Sequence, residues 1–125
     1  MDDLTNYLGE RIRGPNVTQF LPYLSGERTP HNDSKIRASF VNLDVSSNQN
    51  DLTQSVLEGV SFALRDNLEA LKIAGTNIST AIAIGGGSNS SYWLELIATV
   101  LNIDLDIPEK NDFGAAFGAA RLAII

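Results

Sequence analysis

The sequence predicts an α/β fold, a sheet with packed helices, and three patterns carry that expectation. Apolar residues recur every three or four positions over residues 51–74, as an amphipathic helix requires. The compact apolar run Thr80-Ala81-Ile82-Ala83-Ile84 follows, bounded by glycines as a buried strand would be. A second helical period then leads into alternating apolar and acidic residues over 103–107, so strands and helices alternate along the chain without an internal repeat.

Taken in order, Leu4, Tyr7, Leu8 and Ile12 lie at roughly helical spacing and predict a short amphipathic helix over residues 2–12, which Gly14-Pro15 would end. Pro22, Gly26, Pro30, Asn32 and Asp33 punctuate residues 17–34, which read as an extended loop rather than a regular element. A short strand is expected over residues 39–43. In the long helix Leu52, Val56, Val60, Ala63, Leu64, Leu68 and Leu71 form the apolar stripe. Asp51 with Gln54 resembles a capping box at its start, and Gly75 is placed to close its end in the left-handed conformation. Gly59 inside that helix costs about 1 kcal/mol relative to alanine, so it reads as a helix-packing site where a neighbour approaches closely, and Glu58 beside it reads first as structural.

Trp93, Leu96, Ile97, Val100 and Leu101 fit the i, i+3, i+4, i+7, i+8 template of another helix, with Glu95 and Thr99 on its other face. Residues 103–107 read as a half-exposed strand stopped by Pro108; Asp104 and Asp106 belong to its solvated face rather than to a catalytic pair. Gly114, Ala115, Ala116, Gly118, Ala119 and Ala120 predict a closing helix over residues 112–125 that packs its backbone against a neighbour.

Composition narrows the function classes. A chain of 125 residues, 43% hydrophobic, can bury a core. Its 15 acidic residues against 9 scattered basic ones argue against a nucleic-acid partner. The absence of cysteine excludes disulfides and thiolate metal sites, and a single histidine makes no metal site, so none is expected. Met1-Asp2-Asp3-Leu4 lacks the basic start of a signal peptide, and no apolar stretch approaches the ~20 residues of a membrane span. A cytoplasmic location without a membrane partner is the expectation.

The feature most suggestive of chemistry is the run Gly85-Gly86-Gly87-Ser88-Asn89-Ser90-Ser91 between the strand and a helix. Glycines let a ligand approach backbone N–H groups, and the helix start adds orphan donors and partial positive charge, which suits a nucleotide or phosphate. Spacing alone leaves a second reading equally open: a tight turn capped by Ser88, Asn89 or Ser90. The lysine of a GxxxxGK[ST] loop and the full GxGxxG pattern are both missing. Glu27, Arg28 and His31 cluster in a polar loop; His31 reads as exposed or capping, and Arg28 as an ion-pair partner of Glu27 or another carboxylate rather than a phosphate ligand.

Four stretches in order resemble the FGGY carbohydrate kinase family. Leu21-Pro22-Tyr23-Leu24-Ser25-Gly26-Glu27-Arg28-Thr29-Pro30-His31-Asn32-Asp33 is similar to the corresponding segment of its xylulokinase branch. Phe40, Leu43, Asp51, Leu52, Ser55, Val56, Leu57 and Glu58 look like the family's second signature, with Asn42 where glycine is usual. Residues 85–93 resemble a GGG-x-x-S-x-x-W nucleotide segment, and residues 114–123 a closing G-x-x-x-GAARLA helix. The resemblance covers residues 20–125, as a C-terminal domain portion, and leaves residues 1–19 as an unmatched N-terminal segment.

That resemblance implies part of an actin-like (ribonuclease H-like) ATPase lobe, ATP or ADP with Mg2+, and transfer of the γ-phosphoryl group to D-xylulose, giving D-xylulose 5-phosphate. It implies that Gly86 and Gly87 approach the nucleotide while Ser88, Asn89 and Ser91 line its adenosine side, as binding residues. No residue here matches the family's catalytic base, so no catalytic residue is assigned and the chain by itself is expected to be inactive. A homodimer is compatible with it. The alternatives are a non-catalytic nucleotide-binding or regulatory module, or a kinase for a related pentose or sugar acid.

Overall fold

The computed structural model describes residues 2–108 of the chain, and the expected closing helix over 112–125 lies outside the described residues. In chain order the elements are α1 (Asp2–Asn6), β1 (Gln19–Leu21), β2 (Ser39–Val41), α2 (Gln49–Ile73), β3 (Thr80–Ile82), a 3-10 turn (Gly86–Asn89), α3 (Ser91–Leu101) and β4 (Asp104–Asp106). The α/β expectation holds.

Helix α2 begins one turn before the position the sequence suggests. Asn48 sits in extended backbone (φ −116°, ψ 177°), and its side chain accepts from Asn50 N at 2.8 Å and Asp51 N at 3.3 Å. Asp51 Oδ2 returns the favour by accepting from Asn48 N at 2.9 Å, which completes a capping box of about 1 kcal/mol. Gln54, expected in that box, is instead buried and donates to Gly14 O and Glu58 Oε1, both within 2.8 Å. At the far end Gly75 adopts φ +92°, with Gly75 N bonded to Lys72 O and Thr76 N to Leu71 O, each at 2.9 Å, as the sequence predicts.

The polar stretch 17–34 is not wholly loop. Gln19–Leu21 pairs antiparallel with Ser39–Val41, Phe20 opposite Phe40 with ring centroids 4.7 Å apart. The prolines and glycine that argue for a loop fall after this strand, not in it. Gly59 does receive a close neighbour, but that neighbour is a strand: a methyl group there would run into the Phe20 carbonyl oxygen, so at this point α2 lies on β1.

Strands β3 and β4 pair in parallel, Ala81 opposite Leu105, with α3 as the crossover between them. The apolar run at 80–84 is not buried: Ile82 is 66% and Ile84 53% exposed. Each strand has one hydrogen-bonded neighbour, and no second layer covers this face among the described residues.

The core lies between α2, α3 and the N-terminal segment. Leu8, Leu57, Tyr92 and Leu96 are buried together, with Ile12, Trp93 and Val100 packed around them. Helix α1 stops at Asn6, well short of residue 12, because Gly9 takes φ +93° and turns the chain away. Leu8 still reaches the core from that turn and is 1% exposed.

Candidate nucleotide-facing site

Strand β3 ends at Ile82 and the chain turns through Gly85, whose φ of +88° is open to glycine but strained for other residues. A short 3-10 turn follows, closed by Ser88 N to Gly85 O at 3.1 Å, Ser90 N to Gly87 O at 3.2 Å and Ser88 Oγ to Gly85 O at 2.7 Å. Ser90 then caps α3: its Oγ accepts from Trp93 N at 3.3 Å and its carbonyl from Leu94 N at 3.0 Å. Of the three capping residues the sequence offers, Ser90 takes the role.

The three glycines differ. A methyl group on Gly86 would meet nothing within 4 Å, whereas on Gly87 it would stand 2.6 Å from Trp93 Cζ3. Gly87 is therefore a packing requirement beneath the loop, and Gly86 is open to a ligand. Gly86, Asn89 and Ser91 are exposed, and Gly87 and Ser88 partly so. The N–H groups of Gly86, Gly87, Ser91 and Tyr92 start a 3-10 turn and a helix, where no preceding turn supplies an acceptor. The start of α3 adds partial positive charge directed at this surface. The residues expected to meet a nucleotide thus lie on one continuous stretch.

A cleft of about 310 Å³ borders that stretch, with Asn89, Ser90, Ser91 and Tyr92 on one side and Thr5, Asn6, Gly9 and Glu10 on the other. The volume is at the lower end for a small-molecule site. Its second wall comes from the N-terminal segment and has no signature in the sequence, since it forms only through long-range packing. Tyr92 falls outside the apolar template of its helix, yet it is 2% exposed and anchors the loop to the core. Burial pushes the Tyr92 hydroxyl above the usual phenol range, the neighbouring Arg13 pulls the other way, and Glu58 adds to the rise.

Residues 85–91 offer N–H, amide and hydroxyl groups but no carboxylate, so they suit phosphate or nucleoside contacts and do not fit a hard divalent cation. Among the described residues no group of three or more His, Asp or Glu could hold a metal ion. No helix of the described residues is long and apolar enough to cross a membrane.

The Glu27, Arg28 and His31 group forms a separate, self-bonded loop. Glu27 and Asp33 exchange backbone hydrogen bonds at 2.9 and 2.8 Å, and Tyr23 Oη meets His31 Nε2 at 3.1 Å. The Glu27 carboxylate accepts from Arg28 N and Thr29 N, not from a guanidinium; the expected ion pair is replaced by backbone capping, which fixes the turn without ordering a long side chain. Among the described residues no hydrogen bond joins this loop to residues 85–91. Glu58 is 7% exposed and accepts from Asn16 N at 3.2 Å and Gln54 Nε2 at 2.7 Å, so it ties α2 to the N-terminal segment. Asp104 and Asp106 are exposed on β4, the solvated face expected of them.

Comparison with known proteins places these features in a family context. Residues 10–125 match the model of the C-terminal domain of the FGGY family of carbohydrate kinases, a span that begins inside the segment 1–19. The chain is 43% identical over 106 residues to a xylulose kinase of Escherichia coli K12, covering 85% of this chain and 22% of that protein. It is 36% identical over 110 residues to a xylulose kinase of Staphylococcus xylosus, covering 88% and 23%. The crystal structure of a xyloylose kinase from Brucella ovis superposes with a TM-score of 0.91 at 58% identity, covering 99% of this chain and 26% of that one. A Plasmodium falciparum glycerol kinase crystallised with ADP has a TM-score of 0.77 at 21% identity over 96% of this chain and 23% of that one, a likeness of fold alone. The chain spans about a quarter of the length of these relatives.

Proposed function

Because the chain belongs to the FGGY family of carbohydrate kinases, matching its C-terminal domain, we propose that it forms the nucleotide-side wall of a sugar kinase that transfers the γ-phosphoryl group of ATP to D-xylulose. The fold is the α/β part of an actin-like ATPase lobe. The observation that carries the reading is the stretch over residues 86–91, exposed at Gly86, Asn89 and Ser91 and partly so at Gly87 and Ser88, which lies at a helix start beside a cleft, in a chain similar to xylulose kinases over most of its length.

In this reading Gly86 lets the nucleotide approach the backbone, Gly87 meets it only through main-chain atoms because Trp93 occupies its side-chain space, and Ser88, Asn89 and Ser91 contact the nucleoside portion. Phosphoryl transfer depends above all on positioning and charge neutralisation. The wall supplies positioning; Mg2+ and the general base would act from groups other than residues 85–91, and the chain by itself would not phosphorylate sugar. A cytoplasmic location accords with a soluble metabolic kinase.

Titrating ADP into the chain, with Gly86→Val as the control because a side chain there meets no protein atom within 4 Å, tests the assignment. Chemical-shift changes at the amides of residues 86–91 that vanish in Gly86→Val are expected; equal responses in both proteins would refute it. Incubation of the chain with ATP, Mg2+ and D-xylulose should give no D-xylulose 5-phosphate, and turnover would overturn the assignment of the base elsewhere.

A further inference from the structure

We propose that the N-terminal segment, residues 4–16, is a clamp that positions the loop over residues 85–91, and that Glu95 on α3 is the positioning residue through which it acts. The proposal rests on the nucleotide reading only in its consequence for binding; the clamp itself is read from contacts.

Helix α3 carries the loop on its N-terminal end, and the segment grips that helix at successive turns. Leu8 packs on Tyr92 and Leu96 in the core. Ile12, four residues on, packs against the same cluster. One turn further along, both oxygens of Glu95 are taken: Oε1 by Arg11 Nε at 3.1 Å and Oε2 by Ile12 N at 3.2 Å. Two consecutive residues of an otherwise irregular strand are thereby fixed to one carboxylate.

The same segment is anchored away from α3. Asn16 N donates to Glu58 at 3.2 Å, Asn16 Nδ2 to Asp51 O at 2.7 Å, and Gln54 Nε2 to Gly14 O at 2.8 Å. The clamp therefore bridges α2 and α3 and does not merely lie on one of them. Arg65 holds the other end of α3, donating to Val100 O at 2.8 Å. Core packing holds the inner face of α3 through Tyr92 and Leu96, and Glu95 adds a tie on the outer face that opposes rotation of the helix about its axis.

Transmission to the loop is short. Trp93, two positions before Glu95, packs beneath Gly87, and Trp93 N is the donor that Ser90 caps. Rotation of α3 would displace the indole from Gly87 and lengthen the cap, so the loop follows the helix. Among the described residues the Glu95 side chain is hydrogen-bonded to Arg11 and Ile12, not to the loop, and its role is indirect. The side chain is 33% exposed, so its replacement removes the tie without opening a core cavity.

The test is amide exchange in the full chain at Ser88, Ser90, Trp93 and Leu94, whose N–H groups are bonded within the loop and cap, against Gly75 and Thr76 at the end of α2 as reference. Glu95→Ala should speed exchange at the first group about tenfold, the loss of charge-assisted bonds, and leave the reference unchanged. Glu95→Gln, which keeps an acceptor for Ile12 N, should restore part of the protection. Unchanged loop amides, or equal acceleration at both sites, would overturn the clamp. In a second arm, ADP affinity should fall in Glu95→Ala with the loop protection; a loosened loop with unchanged affinity removes the positioning role. If the unaltered chain binds no ADP, the nucleotide reading fails while the exchange arm still decides the clamp.

Discussion

Replacing the three adjacent glycines one at a time by alanine separates three physical causes within a single turn. At Gly87 the new methyl carbon would stand 2.6 Å from Trp93 Cζ3 and 3.0 Å from Cε3. Carbon atoms in contact settle about 3.5–4.0 Å apart, so the overlap is roughly 1 Å. The indole is packed against the core cluster and has no free retreat, and overpacking of this kind costs about 1–3 kcal/mol. The midpoint of thermal unfolding should fall by roughly 4–12 °C for a chain of this size. Gly85→Ala meets open space but keeps a φ of +88°, and should cost about 1–2 kcal/mol from backbone strain alone. Gly86→Ala has neither problem and should stay within about 0.5 kcal/mol of the parent. Calorimetry gives the midpoints, and emission from the single tryptophan reports the indole's surroundings, which should change in Gly87→Ala and in neither other variant. Equal midpoints for Gly86→Ala and Gly87→Ala would refute the packing argument.

Gly59→Ala drives a methyl group into the Phe20 carbonyl and should cost about 3 kcal/mol, read as a lower urea midpoint with an unchanged slope. Glu58→Ala leaves Asn16 N without its acceptor and Gln54 Nε2 with Gly14 O alone, and should cost about 1–3 kcal/mol, whereas Glu58→Gln keeps one acceptor oxygen and should lose less; identical losses would show that packing, not hydrogen bonding, holds the segment. Tyr92 holds its proton more tightly folded than unfolded, so the stability it contributes is complete below pH about 10 and declines as pH rises toward the higher folded value. Urea midpoints measured between pH 9 and 11 should therefore fall more steeply in the parent than in Tyr92→Phe, and parallel curves would rule Tyr92 out as the cause.

Legibility in the sequence follows the range of the interactions. Helix α2 was readable because its stripe, its cap residues and Gly75 are local, and even the error at its start is one turn, with Asn48 outcompeting Asp51 for the cap. The stretch 80–84 was readable as a strand from its β-branched and apolar residues, but not its exposure, because burial depends on which layers are present to cover it. Composition recorded that the run prefers apolar surroundings; it could not record what stands beside it. Strand β1 was hidden for a related reason. Three residues paired to a partner twenty positions away carry too little periodicity to outweigh the prolines and glycine that follow them.

The loop over 85–91 shows the same division within one site. Its glycines and its capping serine are local features, and by themselves they leave a ligand contact and a bare capped turn equally open. The requirement for glycine at 87 arises from Trp93, six residues on, and the second wall of the cleft arises from Thr5, Asn6, Gly9 and Glu10, some eighty residues back. Neither could be extracted from spacing, since each depends on how α3 is seated. Glu95 shows why this matters for function. Its position opposite the apolar stripe marked it as a solvated residue, yet that same outward orientation is what allows it to receive Arg11 and Ile12 from a segment crossing outside the helix. A polar residue on the outer face of a loop-bearing helix is thus a candidate for holding the loop's orientation whenever another stretch of chain passes over it, and residues 4–16 make that passage here.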